Sequence, residues 1–327
     1  QLAETAAPVL IGAGQQEAIR QLHQNEANLR VALQWAIAND PAMAERMGAA
    51  IWRFWWLRGE MTVGWSWIQQ LLELPATDLR LRAILFNAAG SINLELGNLP
   101  GVREYHTRAL ELRRELDDKL GIASSLGNLG NLARQQADPH AAHALFTESL
   151  EYFTAIGHAW GVATTALNLG TVAEDLSDMA GARDYYRRSL DSYRAIGDNH
   201  GAALALGNLG GVALLEGDAP TAVGLYREAL AIAAEITSHT GIIHYLEALA
   251  QAWALLDQAA LGARLIGAAS AVRETYSIAV KPLYLPQYEK TLGLLRQQLA
   301  PADFDAAWAE GKSLPIPSVV GLALQPG

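Results

Sequence analysis

Asn168-Leu169-Gly170 is a triplet that comes back: forty residues upstream the chain reads Asn128-Leu129-Gly130, and forty downstream it reads Asn208-Leu209-Gly210. The flanks keep the same step. Gly121, Gly161, Gly201 and Gly241 open four units, and Ser149, Ser189 and Ala229 each follow a Leu-Gly glycine by nineteen residues. A gapless 40-residue period is the mark of a repeat architecture, in which each unit buries its apolar face on its neighbours and chain length measures repeat number. The 327 residues, 51% hydrophobic and 18% charged, therefore read as one array, although length alone would suggest two domains.

Each unit contains two apolar-periodic segments of about sixteen to eighteen residues, the length of two short helices joined by a tight turn. The turns fall at Gly97-Asn98, Ala137-Asp138, Ser177-Asp178 and Gly217-Asp218. Asp138 and Asp218 are predicted N-caps, Pro139 suits a first helical position, and Gly157 and Gly197 end helices where a left-handed residue costs little. The expected element is an antiparallel helix pair.

A period near forty also suits other helical repeats, so the spacing inside the unit decides. Leu126-x-x-Leu129-Gly130 is followed by Ala142-x-x-x-Phe146, and Leu206-x-x-Leu209-Gly210 by Ala222-x-x-x-Tyr226. The unit between keeps Ala182-x-x-x-Tyr186 but has Ala166 in place of the large residue. The weakest unit carries Ala89-Gly90, Val102 and His106, and a fifth, Gly241 to about Tyr276, has Ala250 where the glycine should stand. The small residues are expected to let two helix backbones approach closely.

This pattern resembles tetratricopeptide repeats, in the long form used by kinesin light chain and the Pins-type adaptors. The resemblance implies an all-α, right-handed superhelical solenoid of antiparallel helix pairs that binds ligands on the concave surface formed by the first helices. On that register Asn87, Asn128, Asn168 and Asn208 face the groove, joined one turn later by Asn131 and Thr171 and then by Arg134 and Glu174. An asparagine inside a helix costs several tenths of a kcal/mol against alanine, so a ladder of them asks for a reason. A carboxamide both donates to and accepts from a peptide backbone, and can grip an extended chain without reading its side chains. The competing reading is a duplicated, harmless residue, or one bonded within its own helix pair. Glu247 replaces the ladder asparagine in the fifth unit, with His244 one turn before it, as a polar end of the groove or a solvated edge.

The ends differ from the array. Residues 1–14 read as a linker closing at Gly12-Ala13-Gly14, followed by a helix from about Gln15 to Ile37 and a helical cap with a degenerate first repeat to residue 80. There Trp52, Trp55 and Trp56 share a helix face and Phe54 lies opposite. Such aromatics either close the solenoid or, pointing outward, dock a further domain. The array proper spans 81–276. Residues 277–327 hold Pro282, Pro286, Pro301, Pro315, Pro317 and Pro326 between short helices, and read as the cap a solenoid needs.

Glu26-Ala27-Asn28-Leu29-Arg30 with Trp35 and Trp52-Arg53-Phe54-Trp55 resembles the region after the winged helix in STAND-type regulators, the signal-transduction ATPases. Gly262-Ala263-Arg264-Leu265-x-Gly267-Ala268-Ala269 and Phe304-x-x-Ala307-Trp308-x-Glu310-Gly311-Lys312-Ser313-Leu314 resembles their C-terminal end. In that family the repeat arm senses a protein, peptide or small inducer and restrains an upstream nucleotide-binding domain, in the cytoplasm. The chain then reads as a fragment or processed product, starting as it does at Gln1-Leu2-Ala3-Glu4. The alternative is a free-standing adaptor gripping extended peptides.

Composition excludes several other classes. A net charge of -10 without a lysine- or arginine-rich block argues against direct nucleic-acid contact. No apolar run of about eighteen residues is present to span a bilayer, and the absence of cysteine removes disulfides and thiolate metal sites. His140 and His143 lie three apart but lack a third ligand, so no metal or other cofactor is expected. Three motif echoes fail. Ala306 to Ser313 has alanine where a phosphate loop needs its first glycine, Gly64-x-Ser66-x-Ile68 lacks the last glycine of a nucleophile elbow, and Gly12-x-Gly14-x-x-Glu17 lacks a third glycine and a strand. No residue set points to catalysis.

Overall fold

A left-handed residue returns at every twentieth position of the array: Gly97 (φ 72°), Asp117 (49°), Ala137 (56°), Gly157 (67°), Ser177 (62°), Gly197 (72°), Gly217 (81°), Thr237 (55°) and Asp257 (58°). Each reverses the chain between two helices of equal length, so the backbone repeats at half the period of the sequence. The computed structural model describes residues 2–11, 14–280 and 285–325. They form eighteen α-helices, with no strand among them. The chain divides into two compact units, Gln1–Gly157 and His158–Gly327.

The first unit holds α1 (Leu2–Ala6), α2 (Gln15–Gln24), α3 (Glu26–Asn39), α4 (Pro41–Leu57), α5 (Met61–Glu73), α6 (Leu79–Glu95), α7 (Leu99–Glu115), α8 (Lys119–Gln135) and α9 (Pro139–Ala155). The second holds α10 (Ala159–Asp175), α11 (Met179–Ala195), α12 (Asn199–Leu215), α13 (Ala219–Glu235), α14 (His239–Leu255), α15 (Ala259–Tyr276), α16 (Leu285–Gln298), α17 (Pro301–Ser313) and α18 (Ile316–Leu324). Within each unit consecutive helices from α6 to α15 stack as antiparallel pairs, the all-α class that the periodicity predicts. The caps explain the sharp boundaries: Asp118, Asp138, Asp178, Asp198 and Asp218 each accept a hydrogen bond from the N–H three residues on, at 2.9–3.1 Å.

The core of the glycine-bearing pairs centres on the small residue that the repeat preserves, and in the fifth pair a Cβ at Gly262 would lie 2.9 Å from the Ala250 carbonyl oxygen. A Cβ at Gly130 would lie 2.9 Å from the Phe146 ring, and Cβ atoms at Gly170 and Gly210 would likewise strike Tyr186 and Tyr226. These glycines make room for an aromatic ring of the second helix. Polar crosslinks recur beside them. Ser149 Oγ donates to Ala123 O at 2.8 Å and Ser189 Oγ to Ala163 O at 2.9 Å, both serines being fully buried.

The first unit departs from the sequence reading in three places. Residues 2–11 fold as α1 and a short 3₁₀ turn, Val9–Ile11, with Ala3, Ala6 and Leu10 buried. α1 lies against α4, and contact through alanines leaves little hydrophobic signal in the sequence. Gly12 and Ala13, where the linker was expected to end, lie outside the described residues. The single helix expected over 15–37 is broken at Asn25, whose side chain donates to Gln21 O at 2.9 Å and competes with the helical backbone. On α4, Phe54 is buried with Trp52 and Trp55, and Trp56 is the exposed aromatic. Both faces are thus largely buried, because α4 packs on α3 as well as on α5 and α6 and most of its circumference is interior. Glu45 and Arg82 form a buried ion pair at 2.7 Å beneath them.

At the C-terminal end of the second unit the two alanine- and glycine-rich motifs pack on each other. A Cβ at Gly267 would strike Trp308 O, and one at Gly311 would strike Arg264 O. Arg264 and Glu310 pair at 2.7 Å beside this seam, and Lys312 pairs with Glu274 at 2.7 Å. The Gly311-Lys312-Ser313 echo of a phosphate loop is thus helical, with its lysine engaged. Pro282 and Pro326 lie outside the described residues. Gly311 is the tightest point of the cap: α15 and α17 approach there by main chain.

Candidate functional site

The first helix of each pair carries the predicted groove residues, and the two units treat them differently. In the first unit Asn128 Nδ2 donates to Asn87 Oδ1 at 2.7 Å, with Asn87 8% exposed and Asn128 half-buried. That pair spends one donor and one acceptor on linking α6 to α8. Asn131 and Arg134 are exposed.

In the second unit Asn168 on α10 and Asn208 on α12 are half-buried, and neither side chain has a hydrogen-bond partner among the described residues. Thr171 is engaged: its hydroxyl donates to Leu167 O at 3.2 Å and accepts from the Tyr186 hydroxyl at 3.2 Å. Glu174 is half-buried, and its charge together with burial holds the Tyr226 phenol well above its usual range. Around Asn208 the exposed face of α12 is nearly bare. Gly207 is buried beneath the Tyr245 ring, 2.8 Å from where a Cβ would stand, and so belongs to the core side, where Tyr245 Oη donates to Ala203 O at 2.7 Å. Gly211 has only the Tyr226 hydroxyl within 4 Å, and Leu204 and Leu215 flank the stretch at 41% and 66% exposure. The bare spot went unnoticed in the sequence because glycines are common; its signal was Gly211 one turn after Asn208.

The fifth pair closes differently. Glu247 on α14 receives a two-pronged contact from Arg273 on α15, both bonds 3.0 Å, and burial raises the Glu247 carboxyl against the lowering effect of that guanidinium. Glu247 is therefore committed to a structural pair. His244 stands beside it, its ring edge-on to Tyr245 at 5.2 Å. The terminal helix α18 lies against α13 and α15, the second helices of their pairs, where Arg227 Nε donates to Ala323 O at 2.8 Å. Residues 316–325 accordingly leave Asn168 and Asn208 uncovered. Among the described residues no group of three His, Asp or Glu side chains is placed to hold a metal ion, and no helix is long and apolar enough to cross a membrane.

Comparison with known proteins places these helices. The tetratricopeptide repeat family profile matches residues 81–155 and 161–235, which are α6–α9 and α10–α13. Over those stretches the chain is similar to tetratricopeptide repeats. A protein of Mycobacterium tuberculosis named as an HTH-type transcriptional regulator is 32% identical over 95 residues. That match covers 29% of this chain and only 11% of the relative's length. The crystal structure of a Rap protein complexed with competence and sporulation factor is similar with a TM-score of 0.59 and 13% identity, over 91% of this chain and 81% of that one. Aspartyl phosphate phosphatase F from Bacillus subtilis is similar with a TM-score of 0.61 and 12% identity, over 94% and 79%. At such identities the likeness is one of fold.

Proposed function

We propose that the chain is a protein- or peptide-binding tetratricopeptide module whose gripping residues in the second unit are Asn168 and Asn208. The observation that carries this is their lack of partners. Two half-buried carboxamides at the repeat spacing, on consecutive first helices, have donors and acceptors unspent, and the α12 backbone around Asn208 is bare enough for a second chain to lie close. Adjacent packed helices stand about 8–10 Å apart, close to three residues of an extended strand, so one peptide can meet both carboxamides in register. Asn131 and Arg134 extend the same function in the first unit, while Asn87, Asn128 and Thr171 shape it through contacts already made. Glu174 adds a carboxylate at the groove edge. The Rap protein similar in fold was crystallised with competence and sporulation factor, which favours a peptide occupant over a small inducer.

The module serves as the sensing arm of a STAND-type transcriptional regulator, a reading supported by the match to the mycobacterial HTH-type regulator and by the N- and C-terminal motifs. Occupancy of the groove then alters the restraint on an upstream nucleotide-binding domain. The test is the ATPase rate of the full gene product with and without the bound peptide, in wild type and in an Asn168→Ala, Asn208→Ala variant. A peptide-dependent rate lost in the variant supports the reading. A gene product with no nucleotide-binding core contradicts the regulatory part and leaves a free-standing adaptor.

A further inference from the structure

Eight arginines of the described residues are buried or half-buried, and seven of them hold an oxygen acceptor. Arg58, Arg82, Arg183, Arg264 and Arg273 each meet a carboxylate. Arg113 donates to Gly121 O and Ser125 Oγ, and Arg227 to Ala323 O. Arg53 is the exception. It has no hydrogen bond and no ion pair among the described residues, and its guanidinium lies over the Trp52 ring, 4.5 Å from the centroid. Removing a cation from water without a counter-charge is costly, and an arginine that bears this cost is ready to accept an anion. Two further observations point the same way. Trp52 is 5% exposed and its buried indole N–H has no acceptor, so the ring supplies no negative group to neutralise the guanidinium and its N–H reports on changes beside it. Arg113, whose pKa is lowered first by burial and is partly restored by Asp118, is close enough to feel the Arg53 charge as well.

The register places Arg53 on the groove row. It is the thirteenth residue of α4, as Ser91 is of α6 and Asn131 of α8. In the first unit this row runs guanidinium, hydroxyl, carboxamide. We infer that Arg53 is an anion subsite for an acidic peptide, receiving a glutamate or aspartate carboxylate at the end of the segment whose backbone passes Asn131. The inference rests on the peptide-binding reading and adds a charge requirement to it. Helix spacing of about 8–10 Å puts the acidic residue about six extended residues from the one beside Asn131. On a chain of net charge -10, a half-buried cation without a carboxylate partner favours an acidic segment over a basic one at that point.

The test reads the Trp52 indole directly. Its ¹H–¹⁵N cross-peak, identified by loss in Trp52→Phe, is followed while a short glutamate-alanine peptide, its lysine-alanine counterpart or inorganic phosphate is added. The acidic peptide shifts the peak saturably, the basic peptide does not, and Arg53→Gln weakens the acidic peptide about tenfold while Arg53→Lys retains part of the response. An unmoved peak, or equal shifts with both peptides, overturns the inference. Phosphate shifting the peak as tightly as the peptide also overturns it, because the site would then take free oxyanions. Retention of neutral peptides, lost on Asn168→Ala with Asn208→Ala, is measured in parallel. If retention persists with a silent indole, the anion subsite alone fails; if the indole responds without such retention, the carboxamide grip alone fails.

Discussion

Gly311 on α17 faces the main chain of Arg264 on α15, and a Cβ added at Gly311 would overlap the Arg264 carbonyl oxygen. Backbone cannot yield as a flexible side chain can. Gly311→Ala is expected to destabilise the second unit by about 2–4 kcal/mol, near the upper range for overpacking. Gly293→Ala on the adjacent α16, where a Cβ would meet nothing within 4 Å, is expected to be neutral or to stabilise by up to about 1 kcal/mol. Urea unfolding of the two variants side by side reads the contrast.

The left-handed turns make a second prediction. Thr237 is β-branched and sits at φ 55°, where glycine is at ease and threonine strained. Thr237→Gly should stabilise by about 0.5–1 kcal/mol, while Gly197→Ala, at φ 72°, should destabilise by about 1 kcal/mol. Thermal denaturation of the single variants measures both.

The periodicity made the helix pairs legible because Asn-Leu-Gly and the Asp caps are strong signals at fixed offsets. The reversals at Ala137, Gly157, Ser177 and Gly197 were legible, whereas those at Asp117, Thr237 and Asp257 were not, since these residues do not look like turn glycines yet adopt the same conformation. Which aromatics of α4 are interior was not legible, for a different reason. A helical wheel supposes one buried stripe, whereas Phe54 and Trp55 are both interior on a helix packed on several sides. At the candidate site the asparagines could be counted from sequence, but which were already spent could not. The 2.7 Å bond from Asn128 to Asn87 depends on how α6 meets α8, and the isolation of Arg53 depends on every carboxylate around it.

His106 supplies the pH dependence. It occupies the place that Phe146, Tyr186 and Tyr226 take in later pairs, is 1% exposed, and burial with the nearby Arg113 charge lowers its pKa from 6.5 to about 4. The unfolded chain binds the proton more readily. Stability is therefore full above the unfolded pKa and falls as pH drops from about 6.5 to 4, by about 3 kcal/mol in all. His106→Phe, a ring of the kind Gly130 already faces, should remove that slope. Urea midpoints at pH 7.5, 5.5 and 4.5, taken as the wild-type minus variant difference, check the sign.

The asparagines should separate by cost. Asn128→Ala leaves the buried Asn87 oxygen without its donor and should cost about 1–2 kcal/mol. Asn168→Ala and Asn208→Ala break no contact within the chain and should raise stability by a few tenths of a kcal/mol through helix propensity. Calorimetry of the three variants distinguishes spent carboxamides from free ones.

The central claim is that Asn168 and Asn208 grip a peptide, and native mass spectrometry with a pool of synthetic random decapeptides tests it most directly. The account predicts that wild type retains a discrete set of peptides and that the Asn168→Ala, Asn208→Ala double variant, equally stable, retains none of them. The same peptides bound to both proteins, or none bound to wild type, would contradict it.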